Sequence, residues 1–190
     1  NNATPTIEGE AEAGSTVELF DGSASLGTTT ADAEGQFLIT PTLSDNDYSL
    51  TVKATDAAGN ISAASDSLTM TVDTTAPAQP TITTTTSLTN SATPTIEGIA
   101  EPGSTLTLFV DGETTGVTTI ADGTTGAYTI APTAGLSDGN HTVTVTATDA
   151  AGNISTASSE LNLTVDSTPP AQPTITTTTI LTSNSTSTIE

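Results

Sequence analysis

The sequence predicts an all-β chain built from tandem β-sandwiches, and three observations carry that reading. Short runs of Val, Ile, Thr, Leu and Phe alternate with Gly, Asp, Asn and Pro, the pattern of short strands joined by tight turns. No run of helix formers places apolar residues at helical spacing. The third observation is an internal repeat. Pro80-Thr81-Ile82-Thr83 returns as Pro173-Thr174-Ile175-Thr176, and Thr55-Asp56-Ala57-Ala58-Gly59-Asn60-Ile61-Ser62 returns as Thr148-Asp149-Ala150-Ala151-Gly152-Asn153-Ile154-Ser155. Both are shifted by 93 positions (173 − 80 and 148 − 55). About 93 residues suits one sandwich, and recurrence this close marks a module in an array.

Three segments follow: a first unit over residues 1–73 that lacks its own strand A, a complete unit over 74–166, and 167–190. The last holds a linker, a strand A and the start of a strand B, because Thr188-Ile189-Glu190 matches Thr95-Ile96-Glu97. The chain therefore looks like a slice of a longer repetitive protein. In the complete unit, strand A is expected at 81–86 in the Thr-rich run and strand B at 93–100 around Ile96. Strand C covers 104–110 with Leu106 and Leu108 facing inward, and D covers 116–121. Strand E covers 127–131 with Tyr128 and Ile130, and F covers 141–148. In F, Val143, Val145 and Ala147 face one way and threonines the other. Strand G, 160–165, adds Leu161, Leu163 and Val165. The first unit's core is expected from Ile7, Val17, Leu19, Phe37, Ile39, Leu50, Val52, Leu68, Met70 and Val72. Seven strands in a Greek-key sandwich put the two ends at opposite poles. The B–C, D–E and F–G turns then gather beside the incoming linker, which Pro77 and Pro80 stiffen, as Pro169, Pro170 and Pro173 do in the next.

Composition excludes several classes of function. Twenty-two acids face one base, Lys53, for a net charge of −21. That field repels nucleic acid and anionic membrane and favours metal cations. With no cysteine there is no disulfide, thiolate nucleophile or thiolate metal site. No segment reaches the ~18 apolar residues of a membrane span, so no membrane insertion is expected. No basic start and apolar run mark a leader at Asn1.

An ordered set of motifs carries a family resemblance. Pro-Thr-Ile-Glu-Gly occurs at 5–9 and 94–98, Ala-Glu-Ala-Gly-Ser at 11–15 and Ala-Glu-Pro-Gly-Ser at 100–104. Ala-Thr-Asp-Ala-Ala-Gly-Asn occurs at 54–60 and 147–153, with Thr-Val-Asp-Thr-Thr-Ala-Pro at 71–77 and Thr-Val-Asp-Ser-Thr-Pro-Pro at 164–170. Together these resemble the bacterial immunoglobulin-like (BIg/Bap-type) repeats of giant type I-secreted surface adhesins and biofilm-associated proteins. The resemblance implies tandem seven-stranded Ig-like sandwiches at the bacterial cell surface. It also implies an extracellular stalk role in cell adhesion and biofilm formation, neighbouring repeats as partners, and calcium (Ca²⁺) at domain junctions.

Calcium takes six to eight hard oxygen ligands. The strand order draws Asp73 from the linker, Glu101 from the B–C turn and Asp149 from the F–G turn toward one junction, where crowded carboxylates need a cation between them. Asn153 is placed to cap the turn or lend an oxygen, and Asp122 of the D–E turn approaches the same pole. The corresponding set in the first unit is Glu12, Asp56 and Asn60, and Asp166 begins a third set. The plainer alternative makes Asp149-Ala150-Ala151-Gly152-Asn153 a side-chain-stabilised turn.

His141, the one histidine, aligns with Tyr48 (141 − 48 = 93). Tyrosine there resembles the tyrosine corner of sandwich domains, whose hydroxyl ties a loop. No second histidine or cysteine builds a triad or zinc site, and nothing supplies the aromatic platform of a glycosidase cleft, so no enzyme is expected. The threonine runs read as strand A rather than as an ice-matching ladder. The first unit lacks strand A while residues from Thr174 onward form a spare one. The alternative role is therefore a subunit of an extracellular filament or sheath, joined head to tail by strand complementation.

Overall fold

The computed structural model describes residues 1–176, all β and turn. The expected start of strand B at 188–190 lies outside them. The first unit contains β1 (Ile7–Glu10), β2 (Thr16–Asp21), β3 (Ala24–Thr30), β4 (Gln36–Ile39), β5 (Asn46–Thr55) and β6 (Leu68–Val72). The second contains β7 (Thr81–Ile82), β8 (Leu88–Thr89), β9 (Ile96–Ile99), β10 (Thr105–Val110), β11 (Glu113–Ile120), β12 (Ala127–Ile130), β13 (Gly139–Thr148) and β14 (Leu161–Val165). Among the described residues, strands pair only within their own unit.

Each unit is two sheets face to face. In the second, β12-β9-β7 opposes β11-β10-β13-β14-β8. In the first, β1-β4 opposes β3-β2-β5-β6, the same arrangement without the counterparts of β7 and β8. Alternation places Leu106, Leu108, Val143, Val145 and Ala147 in the second core, each at most 1% exposed, opposite Ile96, Tyr128 and Ile130. The first core uses Val17, Leu19, Leu50, Phe37 and Ile39 in the same manner.

Three expectations need correction. Strand A is not one run over 81–86. Thr81 and Ile82 pair with Ile99 and Gly98 in one sheet, and Leu88 and Thr89 pair in parallel with Thr164 and Val165 in the other. The threonines between them cross the gap: the Thr83 and Thr84 N–H groups both donate to the Glu97 carbonyl, and the Thr84 hydroxyl accepts from the Glu97 N–H. A chain that changes sheets cannot keep one ladder. Strands D and F also begin earlier than expected, at Glu113 and Gly139. Asp111 and Gly112 both take positive φ (54° and 83°), the backbone of a two-residue hairpin turn, so β11 pairs directly from Glu113. Finally, Leu68 is 50% exposed, and Ile7, Val52 and Met70 are only half-buried. Their counterparts Ile96, Val145 and Leu163 are buried, because the second unit has a strand A over them.

Candidate functional site

The site is the joint between the units, and it starts with one turn present twice. At 149–153 the Asp149 carboxylate accepts from the Asn153 N–H (2.8 Å) and the Asn153 side-chain amide (2.8 Å). At 56–60 Asp56 accepts from the Asn60 N–H (2.8 Å) and amide (2.7 Å). Gly59 and Gly152 take φ of 88° and 87°, which the turn requires and only glycine adopts without strain. The Asn60 amide, with the Asn60 and Ala58 N–H groups, holds the Asp56 carboxyl below the usual range. Burial raises the Asp149 carboxyl, but the Asn153 side chain and the Asn153, Ala151 and Gly152 amides outweigh it and leave it lowered.

The two turns differ in what covers them. Asn60 is exposed, whereas Asn153 is 8% exposed. An amide nitrogen has two donors, and the second on Asn153 goes to the Asp73 carbonyl (3.0 Å) where the first unit ends. Beside it the Asn1 side chain donates to the Gly152 carbonyl (3.0 Å) and its amino group to Ala151 (3.3 Å). Further along the linker, Gln79 donates to the Ala157 carbonyl (2.6 Å), and Pro77 and Pro80 are buried.

A second device, which sequence reasoning missed, holds the linker where it leaves its unit. Asp45 accepts from the Thr74 N–H (2.9 Å), the Thr74 hydroxyl (2.7 Å) and the Thr75 hydroxyl (2.6 Å). Asp138 does the same with the Ser167 N–H, the Ser167 hydroxyl and the Thr168 hydroxyl (2.9, 2.6 and 2.6 Å). The Thr75 and Thr74 hydroxyls lower the Asp45 carboxyl, and those of Ser167 and Thr168 bring Asp138 down to about 2. The signal was in the sequence: Leu-Ser-Asp at 43–45 and 136–138, and Asp-(Ser/Thr)-Thr at 73–75 and 166–168, recur together.

The remaining expected ligands serve their own turns. Glu101 is exposed, and its backbone carbonyl takes the Ser104 N–H and hydroxyl. The Glu12 carbonyl takes the Ser15 N–H. Asp122 accepts from the Thr124 and Thr125 N–H groups and the Thr125 hydroxyl. The Asp73 and Asp166 carboxylates accept from the Thr75 and Thr168 N–H groups. The structure thus brings Asp149, Asn153 and the Asp73 carbonyl together. Among the described residues no group of three or more His, Asp or Glu side chains stands close enough to hold a metal ion. The oxygen donors at the joint are of the kind calcium takes, but as placed they are too few to ligate one.

Fold and joint together define a tandem β-sandwich repeat protein. Residues 1–74 and 78–167 each match the family described as bacterial Ig-like domain, and the chain belongs to that family. It is 37% identical over 131 residues to chitinase A1 of Niallia circulans, a match covering 61% of this chain and 17% of that protein. Among solved structures it is similar to the fibronectin(III)-like modules of Clostridium thermocellum CbhA, with TM-score 0.50, 20% identity, and 84% and 85% of the two chains covered. The BSP domain of a biofilm associated protein gives TM-score 0.38 and 21% identity over 86% of this chain and 28% of that one.

Proposed function

We propose that this chain is a non-catalytic stalk segment of a bacterial cell-surface adhesin, with repeats set end to end outside the cell to span distance. Family membership and the ordered repeat motifs support that setting. The observation that carries the mechanism is the linker: it is fastened at its exit by Asp45, at Asp73 by Asn153 and along its length by Gln79, and its two prolines are buried. A linker held this way transmits orientation from one repeat to the next, as a stalk requires. With no native cysteine, Ser23→Cys and Glu113→Cys give a clean spin-label pair. A single narrow distance distribution, broadened by Asn153→Ala with Asp45→Ala, is expected. A broad distribution in the parent chain overturns the stiff joint.

Calcium is proposed as an added stiffener of this joint. Hydrogen bonds already hold it, so binding requires the Asp73 and Glu101 carboxylates to turn inward beside Asp149. Affinity is expected in the roughly 10⁻⁴–10⁻³ M range of extracellular modules. The thermal midpoint should rise with millimolar calcium, not with magnesium, and the rise should vanish in Asp73→Ala and Asp149→Ala. No shift in the parent chain removes calcium from the mechanism.

The likeness to a chitinase favours a second setting for the same mechanical part, a spacer between modules of an enzyme. The residues encoded on either side of this segment separate the two, since a stalk continues as further repeats and an enzyme reaches a catalytic domain.

A further inference from the structure

The second unit divides its first strand between its two sheets, and each half lies at a sheet edge. β7 pairs with β9 through Thr81↔Ile99 and Ile82↔Gly98, and β8 pairs with β14 through Leu88↔Thr164 and Thr89↔Val165. Among the described residues each half has one partner strand. β7 is held by more than its ladder. The Tyr128 hydroxyl donates to the Thr81 carbonyl (3.0 Å), and the Thr83 and Thr84 N–H groups donate to the Glu97 carbonyl (2.8 and 3.3 Å). Pro80 is less than 2% exposed, and Ile82 packs against the core. β8 is held by backbone bonds rather than burial. The Thr164 N–H donates to the Ser87 carbonyl (2.8 Å) and the Asp166 N–H to the Thr89 carbonyl (2.9 Å), while the Leu88 side chain is 65% exposed.

Strand direction decides how this arrangement meets tension. The chain enters the unit ahead of β7 and leaves it after β14. β8 and β14 run parallel, so Thr89 and Val165 lie side by side at the exit pole while the linker enters at the other. Tension between entry and exit draws β7 and β8 toward the entry pole and β14 toward the exit pole. The strands must then slide along each other. Their hydrogen bonds lie across that movement, so the bonds of a patch are loaded together rather than one after another. β7 is drawn along β9 in the same way. A strand fastened to both sheets also keeps the sheets from parting at that edge.

We infer that the divided strand of the second unit is a directional mechanical clamp: its two short patches, β7 on β9 and β8 on β14, resist tension along the entry-to-exit line by shear. That role rests on the stalk reading, which supplies a load along this line. In other directions the same bonds give little resistance. Pulling the adjacent ends of β8 and β14 apart at the exit pole opens their ladder one bond at a time. The threonines at 83–86 join the two patches, so neither half can be drawn out along the line of tension without loading the other.

The test is single-molecule stretching of the 190-residue chain through pairs of cysteine handles at exposed positions, the native sequence having none. Ala76→Cys with Ala171→Cys loads the second unit from entry to exit. Asn90→Cys with Ala171→Cys loads the ends of β8 and β14 at one pole and peels them. Forced unfolding follows the unfolding rate, and the entry-to-exit pair should rupture at a force at least about twofold above the peeling pair. Thr89→Pro takes an amide out of the β8 ladder and should bring the two forces together. Tyr128→Phe removes only the tie to Thr81 and should narrow the same gap in a folded chain, since the first unit carries Phe37 at the matching place. Leu88→Ala keeps the backbone bonds and should leave the gap as it is. Equal forces in the two directions overturn the clamp, and so does a gap that neither Thr89→Pro nor Tyr128→Phe narrows. Either result leaves the stalk reading standing, because that reading is tested at the joint.

Discussion

Tyr48 and His141 solve one problem with different chemistry. The Tyr48 hydroxyl donates to the Ser44 carbonyl (2.9 Å), and His141 Nε2 reaches the corresponding Ser137 carbonyl (3.0 Å). The alignment of the two residues exposed this role, since a 93-residue shift maps both partners. Asp111 was not legible, because it reaches His141 only when the hairpin turn folds back. His141 Nδ1 lies 2.8 Å from its carboxylate. Both ring nitrogens face acceptors, so the protonated ring, a double donor, is the form that satisfies both contacts. The hydrogen bond to Asp111, then that to the Ser137 carbonyl, raise the His141 pKa. The Thr142 N–H and His141 lower that of Asp111. A raised histidine pKa contributes stability that is complete below its unfolded value, near 6.5, and is lost as pH rises through the folded one. The second unit should therefore melt lower at pH 8.5 than at pH 5.5, by within about 1 kcal/mol for a pair open to water on the Asp111 side. His141→Tyr keeps the loop tie and should abolish that difference, because tyrosine titrates near 10. A parent chain and variant with identical pH profiles would show that the ring is neutral.

Strand A shows how far periodicity carries and where it stops. Alternation located β10, β12, β13 and β14 within a residue or two, because each lies in one ladder with one face buried. A Thr-rich run with high β propensity at every position gave no sign that its ends join different sheets. Only the partner strands decide that. The joint was half-legible for a similar reason. Repeated acids pointed to the right pole, but an Asn amide spanning Asp149 and the Asp73 carbonyl depends on a rotamer no spacing encodes. Gly9 of β1 and Gly98 of β9, equivalent in the two units, supply the test at this scale. Gly98→Ala drives a Cβ into the Thr81 backbone, which cannot swing aside, and should cost about 1–3 kcal/mol of second-unit stability and detach β7. Gly9→Ala meets a ring that can tilt, and alanine recovers roughly 0.5–1 kcal/mol of strand preference, so its net effect should be small. Chemical denaturation of the two variants checks the contrast, and equal losses would mean that the close approach at Gly98 is not the cause.

At the scale of the molecule the two units repeat one design with different cover over the core. Their inward faces use the same positions, yet the first leaves Leu68 half-exposed and Ile7, Val52 and Met70 only partly covered. Recovering the cover of even one Leu-sized side chain is worth about 2 kcal/mol. For a unit of this size that corresponds to roughly 8–16 °C in midpoint. Among the described residues no strand pairs across the joint, so the units share side-chain and linker contacts rather than a sheet, and cooperativity between them is limited. Heating the dilute chain should therefore give two transitions, the first unit melting before the second. Hydrogen exchange should protect β13 amides longer than those of its counterpart β5. The acid excess acts on both alike: 22 acids against Lys53, itself 5.6 Å over the Phe20 ring, repel within each unit. Salt should then raise both midpoints together without closing the gap. A single two-state transition at low concentration would show instead that the joint couples the units strongly enough to fold them as one, and that the thinner cover over its core costs the first unit little.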